Sequence, residues 1–115
     1  MAPLFNETEL LERVDGDLAF LTETVQMLDA DGRALLADVC QALAAGDAPA
    51  VGRAAHALKG MISNFCAPEA QQSALEVERI GRGGDLAPAP AAVAALEQRM
   101  EALIAELQSF IHARS

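Results

Sequence analysis

The fold is decided by the stretch Val93–Phe110, which reads VAALEQRMEALIAELQSF. Its large apolar residues recur at alternating steps of three and four positions. They are Val93, Leu96, Met100, Leu103, Leu107 and Phe110. This spacing places all six on one face of an α-helix, as in a helix that packs along its whole length within a bundle. The stretch predicts a long last helix and an all-α fold.

The amino-terminal half has the same kind of spacing, divided by signals that start and stop helices. Asn6 with Glu9 three positions later is typical of a capping box, which predicts a short helix over residues 7–14. Asp17 is expected to cap a second helix. Asp29–Gly32 are predicted to interrupt that helix, because the apolar pattern lapses there and resumes afterwards.

The second half has clearer boundaries. Gly46 and Asp47 predict the end of one helix and the cap of the next. Pro68 is expected to start a further helix, which should close near Gly81–Gly84. No strand-like alternation occurs between these signals. The whole pattern predicts an antiparallel four-helix bundle with an additional short amino-terminal helix, formed as a single domain over residues 1–115.

Composition limits the class of partner. The chain has 115 residues, of which 52% are apolar and only 3% aromatic, so a helical core without disulfides or a structural metal is expected. A formal net charge of −9 repels phosphate backbones and anionic lipids, which argues against nucleic acid and membrane partners. Cys40 and Cys66 have no metal-ligand spacing, so reduced thiols and a cytoplasmic location are expected.

The stretch with the most chemical information is Gly52–Asn64, which reads GRAAHALKGMISN. At a helical period, His56 shares its face with the residues three, four and seven positions away, and the apolar residues lie on the other side. The residues on its face are Gly52, Arg53, Lys59, Gly60 and Ser63. The pattern predicts an exposed imidazole between two cations, with two glycines that leave room for a partner. Such an imidazole is a usable nucleophile near pH 7, and Lys59 would stabilise an anionic product.

This region resembles a known family. Ala45–Gly60 matches the pattern A-G-D-x-x-x-V-x-R-A-A-H-x-L-K-G of histidine-containing phosphotransfer (HPt) domains. The run of helices from about Leu10 to Ile111 is similar to that fold. The resemblance implies that His56 is the phosphoacceptor, through Nε2, that Lys59 steadies the phosphoryl group, and that Gly60 gives the partner room.

Other positions carry over with less specific roles. Helical periodicity makes Gly52, Arg53 and Ser63 candidate partner-binding residues around the histidine, and the resemblance adds Asn64 and Arg82. Glu78 is expected on a solvated face instead. Cys66 stands where relatives carry glycine, which leaves the geometry of the turn after the histidine helix open. Met61 stands where many relatives have a smaller residue, and is expected to affect the choice of partner.

The resemblance implies a phosphoryl carrier of a multistep two-component phosphorelay. His56 would accept a phosphoryl group from the aspartate of a response-regulator receiver domain and pass it to another receiver, and a hybrid histidine kinase is a further expected partner. The receiver is expected to supply Mg²⁺, so no bound cofactor, no metal site and no independent enzymatic turnover are expected here. Family tendency and charge favour a monomer. The initiating Met1 favours a free-standing protein, and no signal peptide is expected.

Two other classes of function stay open. One is a non-catalytic helical adaptor, a degenerate HPt fold that binds receiver or kinase domains without phosphorylation; the intact His56, Lys59 and Gly60 argue against it. The other is the phosphoacceptor part of a histidine kinase. That motif has an acidic residue after the histidine, whereas Ala57 follows it here, and the chain has no nucleotide-binding glycine boxes. The amino-terminal domain of a chemotaxis kinase shares the HPt fold and remains a related lineage.

Overall fold

A computed structural model describes residues 4–115, and every regular element in that range is helical. Six α-helices follow one another along the chain. They are α1 (Glu7–Arg13), α2 (Leu18–Met27), α3 (Arg33–Ala44), α4 (Ala48–Ile62), α5 (Pro68–Gly83) and α6 (Ala89–Arg114). Short turns connect α3 through α6, and these helices pack beside one another around one apolar core. The predicted all-α bundle with a short amino-terminal helix is confirmed.

Helices α2 and α3 form one continuous helix, so the predicted interruption at Asp29–Gly32 is wrong. Leu28–Gly32 make a π-helical turn between them, with right-handed helical φ and ψ at both junctions. Gly32 is buried, and a Cβ there would stand 3.1 Å from side-chain atoms of both Leu28 and Met100. The glycine therefore lets α6 pack closely and does not end the helix. The bundle accordingly has four long helices: this one, α4, α5 and α6.

The predicted caps start the helices. The Asp17 carboxylate accepts the Phe20 amide at 3.0 Å, and the Asp47 carboxylate accepts the Ala50 amide at 3.1 Å. Such bonds satisfy amides in the first turn that have no partner within the helix. Gly46, just before the second of these caps, has a positive φ of 70°, as glycines that end helices do. Because these residues set where α4 begins, they also set the position of its side chains along the bundle axis.

The turn after α4 places a strained conformation at Cys66. A single 3₁₀ turn, Ser63–Phe65, ends in Cys66, which has φ 54° and ψ 45°. This left-handed conformation is costly for a residue with a Cβ and favourable for glycine. This backbone conformation explains why glycine suits this position in the family that the chain resembles. Cys66 nevertheless adopts the turn, and its carbonyl accepts the Asn6 amide at 2.9 Å.

The core follows the seam from which the fold was predicted. All six apolar residues of the α6 seam are buried. On α4 and α5 the inward residues are Val51, Ala55, Leu58, Ile62, Ala70, Ala74 and Val77. The opposite side of α4, which carries His56, is left facing solvent and the edge of α5. Within residues 4–115, no helix combines the length and the apolar character needed to cross a membrane.

Helices α4 and α5 approach each other at a pair of glycines. A Cβ on Gly81 would lie 2.4 Å from the Gly52 nitrogen, 2.8 Å from its Cα and 2.9 Å from the Ala48 carbonyl oxygen. All three are backbone atoms, which cannot move aside as the end of a flexible side chain can. A Cβ on Gly52 would meet its neighbours only at 3.5 Å or more, an ordinary contact distance. Gly81 is thus the residue that permits the close approach of the two helices.

We expect Gly81→Ala to lower the free energy of unfolding by about 2 kcal/mol or more, because the helices must separate to admit the methyl group. Gly52→Ala is the matched control on the facing helix and should change the free energy of unfolding by less than about 1 kcal/mol. Urea unfolding followed by circular dichroism measures both. Equal stability of the two variants would contradict the assignment of Gly81 as the close-contact residue.

Candidate functional site

His56 lies on α4 at the edge of its interface with α5. Its side chain is 59% exposed, and Nδ1 lies 2.9 Å from Oε2 of Glu78 on α5. The other ring nitrogen, Nε2, has no hydrogen-bond partner within residues 4–115. The structure thus places an exposed histidine where the helical periodicity predicted one, with Nδ1 hydrogen-bonded and Nε2 unpaired within the described part of the chain.

Glu78 is the charged residue at the centre of the site, and its side chain is only 5% exposed. Three basic groups surround its carboxylate. Oε2 faces Nδ1 of His56 and lies 2.6 Å from Nη2 of Arg82, while Oε1 lies 2.7 Å from Nζ of Lys59. A buried carboxylate is tolerated when it is paired and hydrogen-bonded. Because its partners come from two helices, this carboxylate connects α4 to α5 directly beneath the histidine.

These contacts keep Glu78 ionised. The ammonium of Lys59, 2.7 Å from Oε1, lowers the pKa of the Glu78 carboxyl below its ordinary value; burial opposes this, and the bond to His56 adds to the lowering. An ionised carboxylate can only accept hydrogen bonds, so Nδ1 of His56 carries the hydrogen between them. This tautomer is assigned from the bonding network. In the neutral imidazole it leaves the lone pair on Nε2, which has no hydrogen-bond partner among the described residues.

The predicted surroundings of the histidine need two corrections. Glu78, expected on a solvated face, is instead buried beneath the imidazole, because α5 turns it toward α4. Lys59, predicted to stand beside the imidazole on the exposed face, is only 24% exposed and pairs with Glu78. Direct contact between Lys59 and a phosphoryl group stays a prediction from the resemblance.

The two glycines near His56 have different surroundings. Apart from its chain neighbours and the backbone of its own helix, no atom of residues 4–115 lies within 4 Å of the Cβ position of Gly60, which is exposed. Its role in partner access stays a prediction, and the open space there is compatible with it. Gly52 is buried, with the backbone of Gly81 packed against it. Gly52 also lines a depression beside His56, so its contact with a partner stays a prediction.

Two arginines stand on the exposed side of the site. Arg53 on α4 and Arg82 on α5 are both exposed. They line one shallow depression of about 390 Å³ together with His56, Pro49, Gly52 and Gly81. Arg82 reaches the Glu78 carboxylate four positions earlier on its own helix, so it lies on the histidine side of α5. This is the location that the resemblance implies for it.

Ser63 and Asn64 lie in the 3₁₀ turn after α4. The Ser63 hydroxyl donates to the Gly60 carbonyl at 2.6 Å, and the Ser63 carbonyl accepts from Nη1 of Arg13 at 3.0 Å. Ser63 therefore closes the end of α4 and attaches α1 to it. Asn64 is exposed. In the described part of the chain neither side chain is hydrogen-bonded to the histidine, and their contact with a partner stays a prediction.

Glu78 is the residue of the site that sequence reasoning missed, although a signal for it was present. On α5 the buried residues Ala74, Val77 and Gly81 recur at steps of three and four. Position 78 lies four residues after the first of them and beside the second, on the same face of the helix. A glutamate on a buried face needs a cationic partner. Arg82, four residues later, is visible as one in the sequence, but the donors from α4 are brought there only by the packing of the helices.

Comparison with known proteins agrees with this geometry. The Hpt domain profile matches residues 23–106. The crystal structure of histidine-containing phosphotransfer protein B (HptB) from Pseudomonas aeruginosa PAO1 is similar with a TM-score of 0.81, at 26% sequence identity and over 98% of both chains. No curated protein sequence matches the chain. The match over most of the sequence, together with the bundle and its exposed histidine, shows that the chain belongs to the Hpt domain family.

Replacing Glu78 with glutamine would remove the charge that three basic groups share and keep the size of the side chain. We expect Glu78→Gln to lower the free energy of unfolding by about 1–2 kcal/mol at pH 7, less than for a fully buried pair, because Arg82 and Lys59 are partly solvated. Folding lowers the pKa of Glu78, so its charge stabilises the fold above the ordinary carboxyl pKa of about 4.3. That contribution is lost as the pH falls through the lower folded value.

Urea unfolding at several pH values between about 3 and 7 measures this effect. The stability gap between the wild type and Glu78→Gln should close below about pH 4. Glu76→Gln is the control, since Glu76 is an exposed carboxylate on the same helix, and it should match the wild type within about 0.5 kcal/mol. A gap for Glu78→Gln that is independent of pH would contradict a stabilising charge at this position.

Proposed function

We propose that His56 is the phosphoacceptor of a phosphorelay: its Nε2 takes a phosphoryl group from the aspartate of one receiver domain and passes it to another. The observation that carries this proposal is the hydrogen bond between Nδ1 of His56 and the buried carboxylate of Glu78. It makes Nε2 the unprotonated nitrogen of an exposed imidazole. Membership of the Hpt domain family supports the same role, since a similar protein is a histidine-containing phosphotransfer protein.

The transfer step needs no general base on this chain. The Nε2 lone pair of His56 forms a bond to phosphorus while the bond from phosphorus to the aspartyl oxygen breaks, and the electron pair of that bond stays on the aspartate. The Nδ1 hydrogen remains in place. The ring becomes cationic on phosphorylation, and the Glu78 carboxylate stabilises that charge, as a buried aspartate does for the imidazolium of a Ser-His-Asp triad. Transfer to the second receiver runs these changes in reverse.

The neighbouring residues support this step in different ways. Lys59 neutralises Glu78 through Oε1 and so keeps the carboxylate ionised beside the imidazole. Gly60 leaves the face of α4 open, so that the acidic pocket of a receiver and its Mg²⁺ can reach the histidine. This chain contributes the nucleophile alone and acts as a carrier without turnover of its own. The proposal includes that the protein is a cytoplasmic monomer and that a hybrid histidine kinase is a further partner.

The proposed acceptor is tested by His56→Gln. A receiver domain phosphorylated beforehand, in Mg²⁺, should load the wild type with an acid-labile, base-stable label, and should load His56→Gln not at all, because glutamine has no nucleophilic nitrogen. Separation on a phosphate-retarding gel measures the product. His112→Gln, at an exposed position near the end of α6, is the matched control and should load like the wild type. Label retained on His56→Gln, or no label on the wild type from a broad panel of receivers, would favour the adaptor function.

The proposed access route is tested at Gly60. We expect Gly60→Gln to slow loading from a phosphorylated receiver by about tenfold or more, because a side chain there displaces the reacting groups. The stability of the fold should not fall, since the position is open. Ala94→Gln adds the same side chain to an exposed position on α6, a helix that does not carry the site, and should load at the wild-type rate. Rapid-quench measurement of labelled protein compares them, and equal rates for the two variants would remove the assigned role of Gly60.

A further inference from the structure

Arg82 is the most solvated of the three basic groups around Glu78. Its side chain is 66% exposed, against 24% for Lys59. Its one ion-pair partner within residues 4–115 is Oε2 of Glu78, the same oxygen that faces Nδ1 of His56. The guanidinium therefore stands beside the imidazole, because both groups contact the same carboxylate oxygen.

Lys59 occupies a different place. Its ammonium is paired with Oε1, the other oxygen of the Glu78 carboxylate, and most of its side chain is covered. Withdrawing this lysine would leave the Oε1 side of an almost fully buried carboxylate without its cation. Arg82, by contrast, is a long and mostly solvated side chain that can reorient without exposing buried surface. Of the two cations, Arg82 is the one that is able to leave Glu78.

A suitable destination lies next to Arg82. The depression beside His56 is lined by two arginines, Arg53 and Arg82, and none of the described residues that line it is acidic. Guanidinium groups bind tetrahedral phosphate oxygens with two parallel hydrogen bonds. A phosphoryl group on Nε2 of an exposed histidine that lines this depression would have both arginines as neighbours.

Phosphorylation would also change which positive charges compensate the Glu78 carboxylate. Before loading, Glu78 is a single negative charge shared by Lys59, Arg82 and the neutral ring of His56. After loading, the ring is cationic, so the imidazolium and Lys59 together compensate the carboxylate. The phosphoryl group meanwhile brings one or two negative charges to the exposed side of the ring, away from Glu78. The stronger attraction on Arg82 then comes from the phosphoryl oxygens.

We propose that Arg82 exchanges partners when His56 is phosphorylated: it leaves Glu78 and binds the phosphoryl oxygens in the depression that it shares with Arg53. This inference rests on the proposed function, because it requires a phosphoryl group on His56. Arg82 would then stabilise the loaded form of the carrier selectively, and its loss would shift the phosphoryl group back toward the receiver.

A competition at equilibrium tests the exchange. Wild type and Arg82→Ala are mixed in equal amounts with a small quantity of one phosphorylated receiver in Mg²⁺, which shuttles the phosphoryl group between them. The final distribution of label reports how much more Arg82 stabilises the loaded form than the unloaded form, in which it pairs with Glu78; weaker docking alters rates and not the end point. We expect about tenfold more label on the wild type, the size of one charge-assisted hydrogen bond. Arg82→Lys should lie between the two, because a lysine keeps the charge without the planar fork.

Arg79→Ala is the matched control, since Arg79 is an exposed arginine on the same helix, and it should share the label equally with the wild type. In wild type with ¹⁵N-labelled arginine, the side-chain NMR signal of Arg82 should move on loading while that of Arg79 stays in place. Equal label on wild type and Arg82→Ala, or an Arg82 signal that does not move, would overturn the partner exchange and leave the proposed function intact. Absence of label on the wild type would overturn both.

Discussion

The site depends on one buried negative charge, the carboxylate of Glu78, and on the three basic groups that share it. Removing an ionised carboxylate from water is costly, so the carboxylate must be paired, and here the pairing joins two helices. His56 and Lys59 stand three residues apart on α4, while Arg82 stands four residues after Glu78 on α5. The interaction that compensates the charge is thus the same one that orients the imidazole. The Glu78 carboxylate therefore contributes both to the packing of α4 against α5 and to the orientation of His56.

The contact between Glu78 and His56 depends in turn on how closely the two backbones approach. Gly81, one turn beyond Glu78 on α5, lies against the backbone of Gly52, one turn before His56 on α4. Without a side chain at Gly81 the helices come close enough for a glutamate to reach Nδ1 of the histidine at 2.9 Å. The cap at Asp47 sets the start of α4 and hence the level of His56 along the bundle. Close approach and register together bring the two helices into hydrogen-bonding range.

The parts of the structure that could be predicted are those set by local periodicity. The α6 seam, the caps at Asp17 and Asp47, and the exposed face of His56 follow from residues a few positions apart, so the sequence alone was sufficient for them. The environment of Glu78 depends on the register between two helices, and no local pattern contains that register. Gly32 shows a second limit. A glycine is equally compatible with the end of a helix and with close packing against a neighbour, and the neighbour, Met100, is distant in sequence.

The distribution of charge explains how a strongly acidic protein can favour an anionic group at one point. The chain has 8 lysines and arginines against 17 acidic residues. Arg53, Lys59 and Arg82 stand around His56, and the carboxylate of Glu78 among them is buried and paired on both oxygens. The surface around His56 is therefore locally positive, which under the proposed function favours an incoming phosphoryl group, while the remaining surface repels other anions. In the proposed function, the burial of Glu78 would let it act on Nδ1 from beneath without opposing a phosphoryl group on Nε2, and an exposed carboxylate in the same place could not separate those two effects.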